Sequence, residues 1–381
     1  MTTESLREKY VIAGIGHTKY GDLGGRSTLS MNVEACRGAL VDANVEKYAV
    51  DALFVKYPTS NFQSMYGQKV AERLGLHPRV GGVWDQAGAS PSSMIAFAAM
   101  AIDAGQCEVA LVTFADNPRS VSRHAYAHAL GPYGPYGWFG VVAGYAMIAR
   151  AHMEQFGTTG EHLGAVAVAC REHGSRNPNA QLQRSISLED HEESPWVVEP
   201  LRRSDCCLIS DGGAAVVVMS AARADELGVS DAVPILGFGQ GQTSWEVAQR
   251  PSLVATEARR SAETAFAMAG ITPAQIDAAQ LYDCFTIAVL MTIEAYGFCA
   301  PGQAGPFVSE PGALQVGGSL PLNTSGGLLS ETGMPGLQLI LEGVRQIRGT
   351  STSQVPAAKT CVVSNQGGIM QTHSTLILGR C

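Results

Sequence analysis

Ser90, Ser92 and Ser93 cluster at the start of an apolar run, with Asp85 shortly upstream. A hydroxyl nucleophile needs an adjacent base. No His or Lys stands at a matching spacing, so these serines read as the N-cap and first turn of a helix. His124 and His128 have the i, i+4 spacing of two metal ligands on one helical face. Without a carboxylate or third ligand in register, the pair reads as solvent-facing polar side chains. The loop Gly14-Ile15-Gly16 lacks the third glycine of a dinucleotide-binding fingerprint. The nine cysteines follow no metal-binding spacing: Cys206 and Cys207 are adjacent, while Cys36, Cys107, Cys170 and Cys361 lie inside apolar segments. They read as reduced thiols packed as small hydrophobes. Neither H-E-x-x-H, a Walker loop nor G-x-S-x-G occurs.

The elements that must carry any chemistry emerge from comparing the chain with itself. Residues 35–53 pattern as helix, turn and strand through Ala39, Leu40, Ala43, Val45 and Val50-Asp51-Ala52. Shifted by 226, the same template returns as Ala265, Phe266, Ala269, Ile271 and Ile276-Asp277-Ala278. Each copy places its apolar helix residues on one face and then enters a strand. A second unit follows in both halves. In the first, Ala87–Pro91 opens the helix Ser92–Ala104, Gly105 closes it, and the strand Val109–Phe114 follows. In the second, Gly333–Gly336 precedes the helix Leu337–Arg348, Gly349 ends it, and a strand comes at Thr360–Val363. The spacing predicts an α/β fold of two mixed-sheet halves. Residues 1–114 with 201–245 form the first half, and 246–381 the second. Residues 115–200 interrupt the rhythm as an insertion with helices at Val141–Phe156 and Glu161–His173, placed as a lid.

Composition narrows the functional classes. Of 381 residues, 46% are hydrophobic and 16% charged, which supports a large core and excludes general disorder. The formal charge of −8 has no basic block, which argues against a nucleic-acid or anionic membrane surface. Arg outnumbers Lys twenty to six, favouring the side chain that grips carboxylate or phosphate as a fork. No apolar run reaches the roughly 18 residues of a membrane span, and no leader pattern opens the chain, so a cytoplasmic location is expected.

Several motifs, in their order and spacing, resemble the thiolase superfamily, nearest its sterol-carrier and lipid-transfer branch. They are Val11–Gly16, Pro200-Leu201 with Asp205-Cys-Cys, Ser210–Ala215, Tyr282-Asp-Cys-Phe285, Leu322–Gly327, and Glu342 with Arg345–Gly349. The resemblance spans essentially the whole chain and implies the αβαβα sandwich of the thiolase fold. It also implies dimers formed through the sheets.

The departures from the family pattern bear on the chemistry. A thiolase carries a nucleophilic cysteine at the start of its first buried helix; that position here is Gly88. The family's two histidines are replaced by Tyr282 and Met334, and Asn365-Gln-Gly-Gly368 stands where Cys-x-Gly would be. Ordinary thiolytic cleavage is thereby disfavoured. Retro-aldol cleavage of a 3-hydroxyacyl thioester needs no covalent acceptor, only a base for the hydroxyl and donors for the enolate. The thiolase-like acyl-CoA aldolases of sterol side-chain breakdown carry tyrosine before this Asp, as at Tyr282-Asp283; they carry a second tyrosine where this chain has Gly333. The resemblance therefore implies Tyr282 as general base and Asn323 as the group positioning the thioester oxygen or a water. Substrate contacts are expected from Asp283, Gly326 and Gly327, and from the amides of Gly88, Ala89 and Ser90 as an anion site at a helix N-terminus. A free phenol titrates near pH 10, so its surroundings must favour the anion. Tyr133, Tyr136 and Trp138 read either as turn packing or as the lining of a pocket for a steroid-like acyl group, and His373 reads as structural.

No metal or organic cofactor is implied, and CoA enters only within the substrate. The resemblance also implies, besides a homodimer, a small zinc-ribbon and OB-fold partner completing a heterotetramer. Two competing functions remain at this level. One is a non-catalytic acyl-CoA or lipid-binding subunit, and the other is acyl transfer through Ser90, Ser92 or Ser93.

Overall fold

A computed structural model of the chain describes residues 6–121, 131–138 and 140–380, and the His124–His128 pair lies outside the described residues. The first half runs β1 (Tyr10–His17), α1 (Thr28–Ala43), β2 (Ala52–Lys56), α2 (Tyr66–Leu74), β3 (Val80–Trp84), α3 (Ser90–Asp103) and β4 (Val109–Asp116). The insertion contributes α4 (Gly140–Phe156), α5 (Gly160–Arg176), α6 (Leu188–Glu192) and a ribbon of β5 (Trp196–Val198) with β6 (Leu201–Arg202). β7 (Gly212–Ser220) and α7 (Ala221–Glu226) complete the first half. The second half contains β8 (Val233–Gln242), α8 (Ala258–Ala269), β9 (Ala278–Gln280), α9 (Thr286–Ala295) and α10 (Ala304–Ser309). It continues with α11 (Gly327–Ser330), α12 (Leu337–Arg348), β10 (Thr360–Gly367) and β11 (Thr372–Gly379).

The nine strands of the main sheet run β3-β2-β4-β7-β1-β8-β11-β10-β9. The duplication read from the sequence is visible in that order. β7 lies antiparallel between β4 and β1, as β11 lies antiparallel between β10 and β8; β2 is parallel to β4, as β9 is to β10. β8 pairs with β11 along most of its length but with β1 only at Val233 and Pro234, so it belongs to the second half. The expected first half, which runs to residue 245, includes this strand.

Glycines seat the outer helices. A Cβ on Gly14 or Gly16 would overlap the backbone carbonyl of Ala39 or Ala35 in α1, and Gly237 and Gly239 meet Ala265 and Ser261 of α8 in the same way. Gly14 and Gly16, which lie within β1 and not in a loop, thus bring strand and helix backbones together. α1 and α2 cover the outer face of the first half, where they share a separate core with β2 and β7. α3 packs against strands of both halves, as does α12, and α8 covers the second half's outer face. The layers are αβαβα, as the resemblance implied. The insertion helices α4 and α5 pack on α9. Among the described residues no helix is long and apolar enough to cross a membrane.

Candidate active site

The turn before α3 is held by its own side chains. Asp85 Oδ1 accepts the Ala87 amide at 3.0 Å, and the Ser90 hydroxyl donates to the Ala87 carbonyl while accepting the Gln86 amide, both at 2.8 Å. The Ala89 and Ser90 amides are bonded to the Gln86 and Ala87 carbonyls at 3.0 and 3.2 Å. Of the amides expected as an anion site at Gly88, Ala89 and Ser90, the latter two are bonded within the turn. The N-cap is Ala89, so the serines occupy the first turn of α3 and do not cap it. Ser92 donates its hydroxyl to Asn365 Oδ1 at 2.8 Å, and the buried Ser93 hydroxyl has no hydrogen-bond partner. Among the described residues none of the three is hydrogen-bonded to a His, Lys or carboxylate side chain.

Beyond β9 the chain passes through Leu281–Phe285 into α9. Asn323 clamps the start of this passage, its side-chain oxygen accepting the Leu281 amide at 2.7 Å and its nitrogen donating to the Leu281 carbonyl at 2.9 Å. The Tyr282 amide donates to Ser364 Oγ at 2.9 Å, and Gln366 Nε2 reaches the Tyr282 carbonyl at 3.5 Å. With its backbone so fixed, Tyr282 directs its ring at the start of α3. A Cβ built on Gly88 would overlap both the phenolic oxygen of Tyr282 and the Gln366 carbonyl. The ring therefore fills the space where a side chain at position 88 would begin.

Asn323 is fully buried, with its side chain bonded to both backbone groups of Leu281. Asp283 is likewise buried and accepts the Leu328 and Leu329 amides of α11 at 2.8 and 3.2 Å, with the Cys170 thiol at 3.6 Å. Burial raises its pKa to about 6. Gly326 and Gly327 adopt φ of 102° and 60°, and a Cβ on Gly327 would strike the Asp283 carboxylate and the Asn323 amide. Asn323, expected to position an oxygen, and Asp283, Gly326 and Gly327, expected as substrate contacts, are brought together here. These four residues form a buried clamp that sets the backbone carrying Tyr282. Gly333 packs so tightly on the Leu208 carbonyl that no side chain fits there.

A family profile described as thiolase C-terminal domain-like matches residues 239–380. The chain is 38% identical over 393 residues to a steroid side-chain-cleaving aldolase of Thermomonospora curvata, covering 97% of each. It is 36% identical over 392 residues to a 17-hydroxy-3-oxo-4-pregnene-20-carboxyl-CoA lyase of Mycobacterium tuberculosis, covering 98% of this chain and 100% of the relative. It belongs to the thiolase superfamily. Among solved structures of that superfamily, the Ltp2-ChsH2(DUF35) aldolase superposes with a TM-score of 0.89 at 36% identity, covering 98% of both chains.

Sequence reasoning passed over several residues of this thiolase-fold site. Gln366 holds the Tyr282 carbonyl and approaches Cys284 Sγ at 3.5 Å, while its own Oε1 is buried without a hydrogen-bond partner. Asn365 ties the same turn to α3 through Ser92 and to the Gly336 carbonyl at 3.2 Å. The turn was legible as a stand-in for the superfamily's Cys-x-Gly, but the polarity of its side chains was the only signal of a role. Tyr145 of α4 stacks on Phe285 with ring centroids 4.5 Å apart, and no local signal in the sequence marks it. Tyr133 and Trp138 stack at 5.0 Å and line a small cavity with Trp245, Val247 and Ile369. Tyr136 is exposed. His373 lies within β11, and burial lowers its pKa to about 3, keeping it neutral.

Proposed function

We propose that the protein is a retro-aldol lyase acting on a 3-hydroxyacyl-CoA with a branched, steroid-like acyl group, releasing a ketone or aldehyde and a short acyl-CoA. The observation that carries this reading is the replacement of a nucleophile's position by Gly88 with the Tyr282 phenol filling the space above it. A site arranged in this way has a base and no covalent acceptor. Tyr282 takes the proton of the 3-hydroxyl, the bond between C2 and C3 breaks, and its electron pair passes into the thioester enolate. The positive end of the α3 dipole favours negative charge beside Gly88. The names of the full-length relatives support the same reaction class and the steroid-like acyl group. The scheme calls on no metal or organic cofactor, and CoA enters as part of the substrate.

The assembly we propose is a homodimer joined through the free edge of β3. Val83 on that strand and Phe97 and Met100 on the adjoining α3 are apolar and partly exposed at 40%, 36% and 43%. The name of the solved Ltp2-ChsH2(DUF35) aldolase supports a second partner, of the DUF35 kind, and we propose that it completes a heterotetramer. We place the reaction in the cytoplasm.

The test is incubation of the purified protein with a branched 3-hydroxyacyl-CoA, alone and with a DUF35-type partner, following products by mass spectrometry. Release of the ketone with acetyl- or propionyl-CoA is the expected result. Tight binding of the thioester without any ketone in either arm would instead establish a non-catalytic binding subunit.

A further inference from the structure

A cavity of about 630 Å³ opens on the outer face of the first half, lined by Arg26, Leu29, Val33, Glu34 and Arg37 along α1 and by Arg73 of α2. The sheet separates it from Gly88 and Tyr282, since α1 and α2 share a core on one face and α3 belongs to the core on the other. Leu29, Val33 and Arg37 follow one another at i, i+4 along a single face of α1, and Arg73 reaches the same space from the last turn of α2. Arg26 is fixed just ahead of α1: its carbonyl accepts Asn117 Nδ2 at 2.8 Å, and the Gly25 amide donates to Ser120 Oγ at 3.0 Å. Glu34 is the one carboxylate of the lining and is paired with Arg26 at 2.5 Å. Among the described residues Arg37 and Arg73 have neither an ion pair nor a side-chain hydrogen bond. In a chain of formal charge −8, two guanidiniums are thus left uncompensated around one cavity.

We propose that this cavity binds a diphosphate-bearing ligand of nucleotide size, at a site distinct from the catalytic one. A guanidinium holds two phosphate oxygens at once through its fork of N–H groups. Arg37 and Arg73 present two such forks from different helices, and Arg26 adds a third positive charge beside them. The two uncompensated charges balance the two phosphates of the ligand. The volume falls in the usual range of small-molecule sites, about 300–1,000 Å³, and is larger than a lone inorganic phosphate fills. Leu29 and Val33 give an apolar wall on which a base or another ring can lie. The amino end of α1, capped by Ser27, adds positive potential at one end of the cavity.

Calorimetric titration of the full chain with ADP tests the site. Saturable binding that weakens with added salt is expected, whereas adenosine, which lacks the phosphates, should not bind. Arg37→Ala and Arg73→Ala, both at exposed positions, should each weaken ADP by about tenfold or more, the usual size for losing a charge-assisted hydrogen bond, with the melting temperature unchanged. Glu34→Gln, which frees Arg26 from its ion pair, should tighten ADP. Propionyl-CoA carries an adenosine diphosphate portion of its own, so ADP binding that survives both arginine substitutions and is displaced by propionyl-CoA would belong to the catalytic cleft and overturns the proposal. ADP affinity that ignores all three substitutions overturns it too. Absence of ADP binding by wild type does the same, and a polyglutamate peptide held through the same arginines would then make the cavity a docking surface for an acidic chain.

Discussion

The phenolic oxygen of Tyr282 and the α-carbon of Gly88 are so close that no side chain on residue 88 can coexist with the ring in its present place. Two positions that meet at the end of one buried helix thereby exclude one another: a nucleophile at 88 or a phenol from 282. The Gln366 carbonyl borders the same space, so a Cβ at position 88 would meet backbone as well as the ring.

Gly88→Cys should therefore give neither a thiolase nor a working aldolase. The added Cβ meets a backbone carbonyl as well as the ring, and overpacking of this kind costs about 1–3 kcal/mol. Denaturant unfolding should show that loss, and cleavage should fall at least tenfold. A stable variant with wild-type turnover would show that Tyr282 need not stand above Gly88.

Tyr282→Phe keeps the ring and removes the base. Loss of roughly 10²–10⁴ in kcat with little change in KM is expected from steady-state kinetics. Unchanged turnover would remove Tyr282 from the mechanism.

Gly333→Tyr, which places a tyrosine where the aldolases of the resemblance carry theirs, should fail to raise activity. The Leu208 carbonyl occupies the space that its Cβ requires, and the Gly333 amide is held by Ser210 Oγ at 3.0 Å. A lowered melting temperature and poor soluble yield are expected; a folded, faster enzyme would contradict the packing described.

Glu331 provides a pH test of the clamp region. It is buried, accepts hydrogen bonds from Ser325 Oγ at 2.7 Å and Asn177 Nδ2 at 3.2 Å, and lies 3.8 Å from Arg345. Burial outweighs the cation and raises its pKa from 4.5 to about 7. A carboxyl raised in the folded state stabilises most below its unfolded pKa, and that contribution is lost as pH rises through the folded value. Wild type should thus lose stability, on the order of 1–3 kcal/mol from this group, between about pH 4.5 and pH 7. Glu331→Gln should flatten that slope in denaturant midpoints measured across the interval; an unchanged slope would assign it to other groups.

Val83→Lys places a charge on the free edge of β3, where Val83 is 40% exposed. Sedimentation should show the proposed dimer dissociating, with the monomer still folded by circular dichroism. A dimer that survives the change would have to be joined elsewhere.

The sequence by itself determined the duplicated architecture. Apolar spacing in α1 and α8, glycine stops after α3 and α12, and the run of β-formers at Val109 are local properties, so they survive without knowledge of the fold. The helix Leu337–Arg348 was read to the residue, and the α3 start only two residues late. The position of Tyr282 beyond a strand end was also legible. What the tertiary structure decided was the use of each polar group. Asn323 read as a positioning group and Asp283 as a substrate contact because the local sequence of a polar residue carries no mark of its partner; only packing revealed their hydrogen bonds to Leu281 and to the amides of α11. Tyr145 was invisible for the same reason: its neighbours Phe285 and Gly368 come from distant segments brought together by the fold. Periodicity encodes which face is buried, whereas hydrogen-bond partnership depends on contacts between residues far apart in the chain.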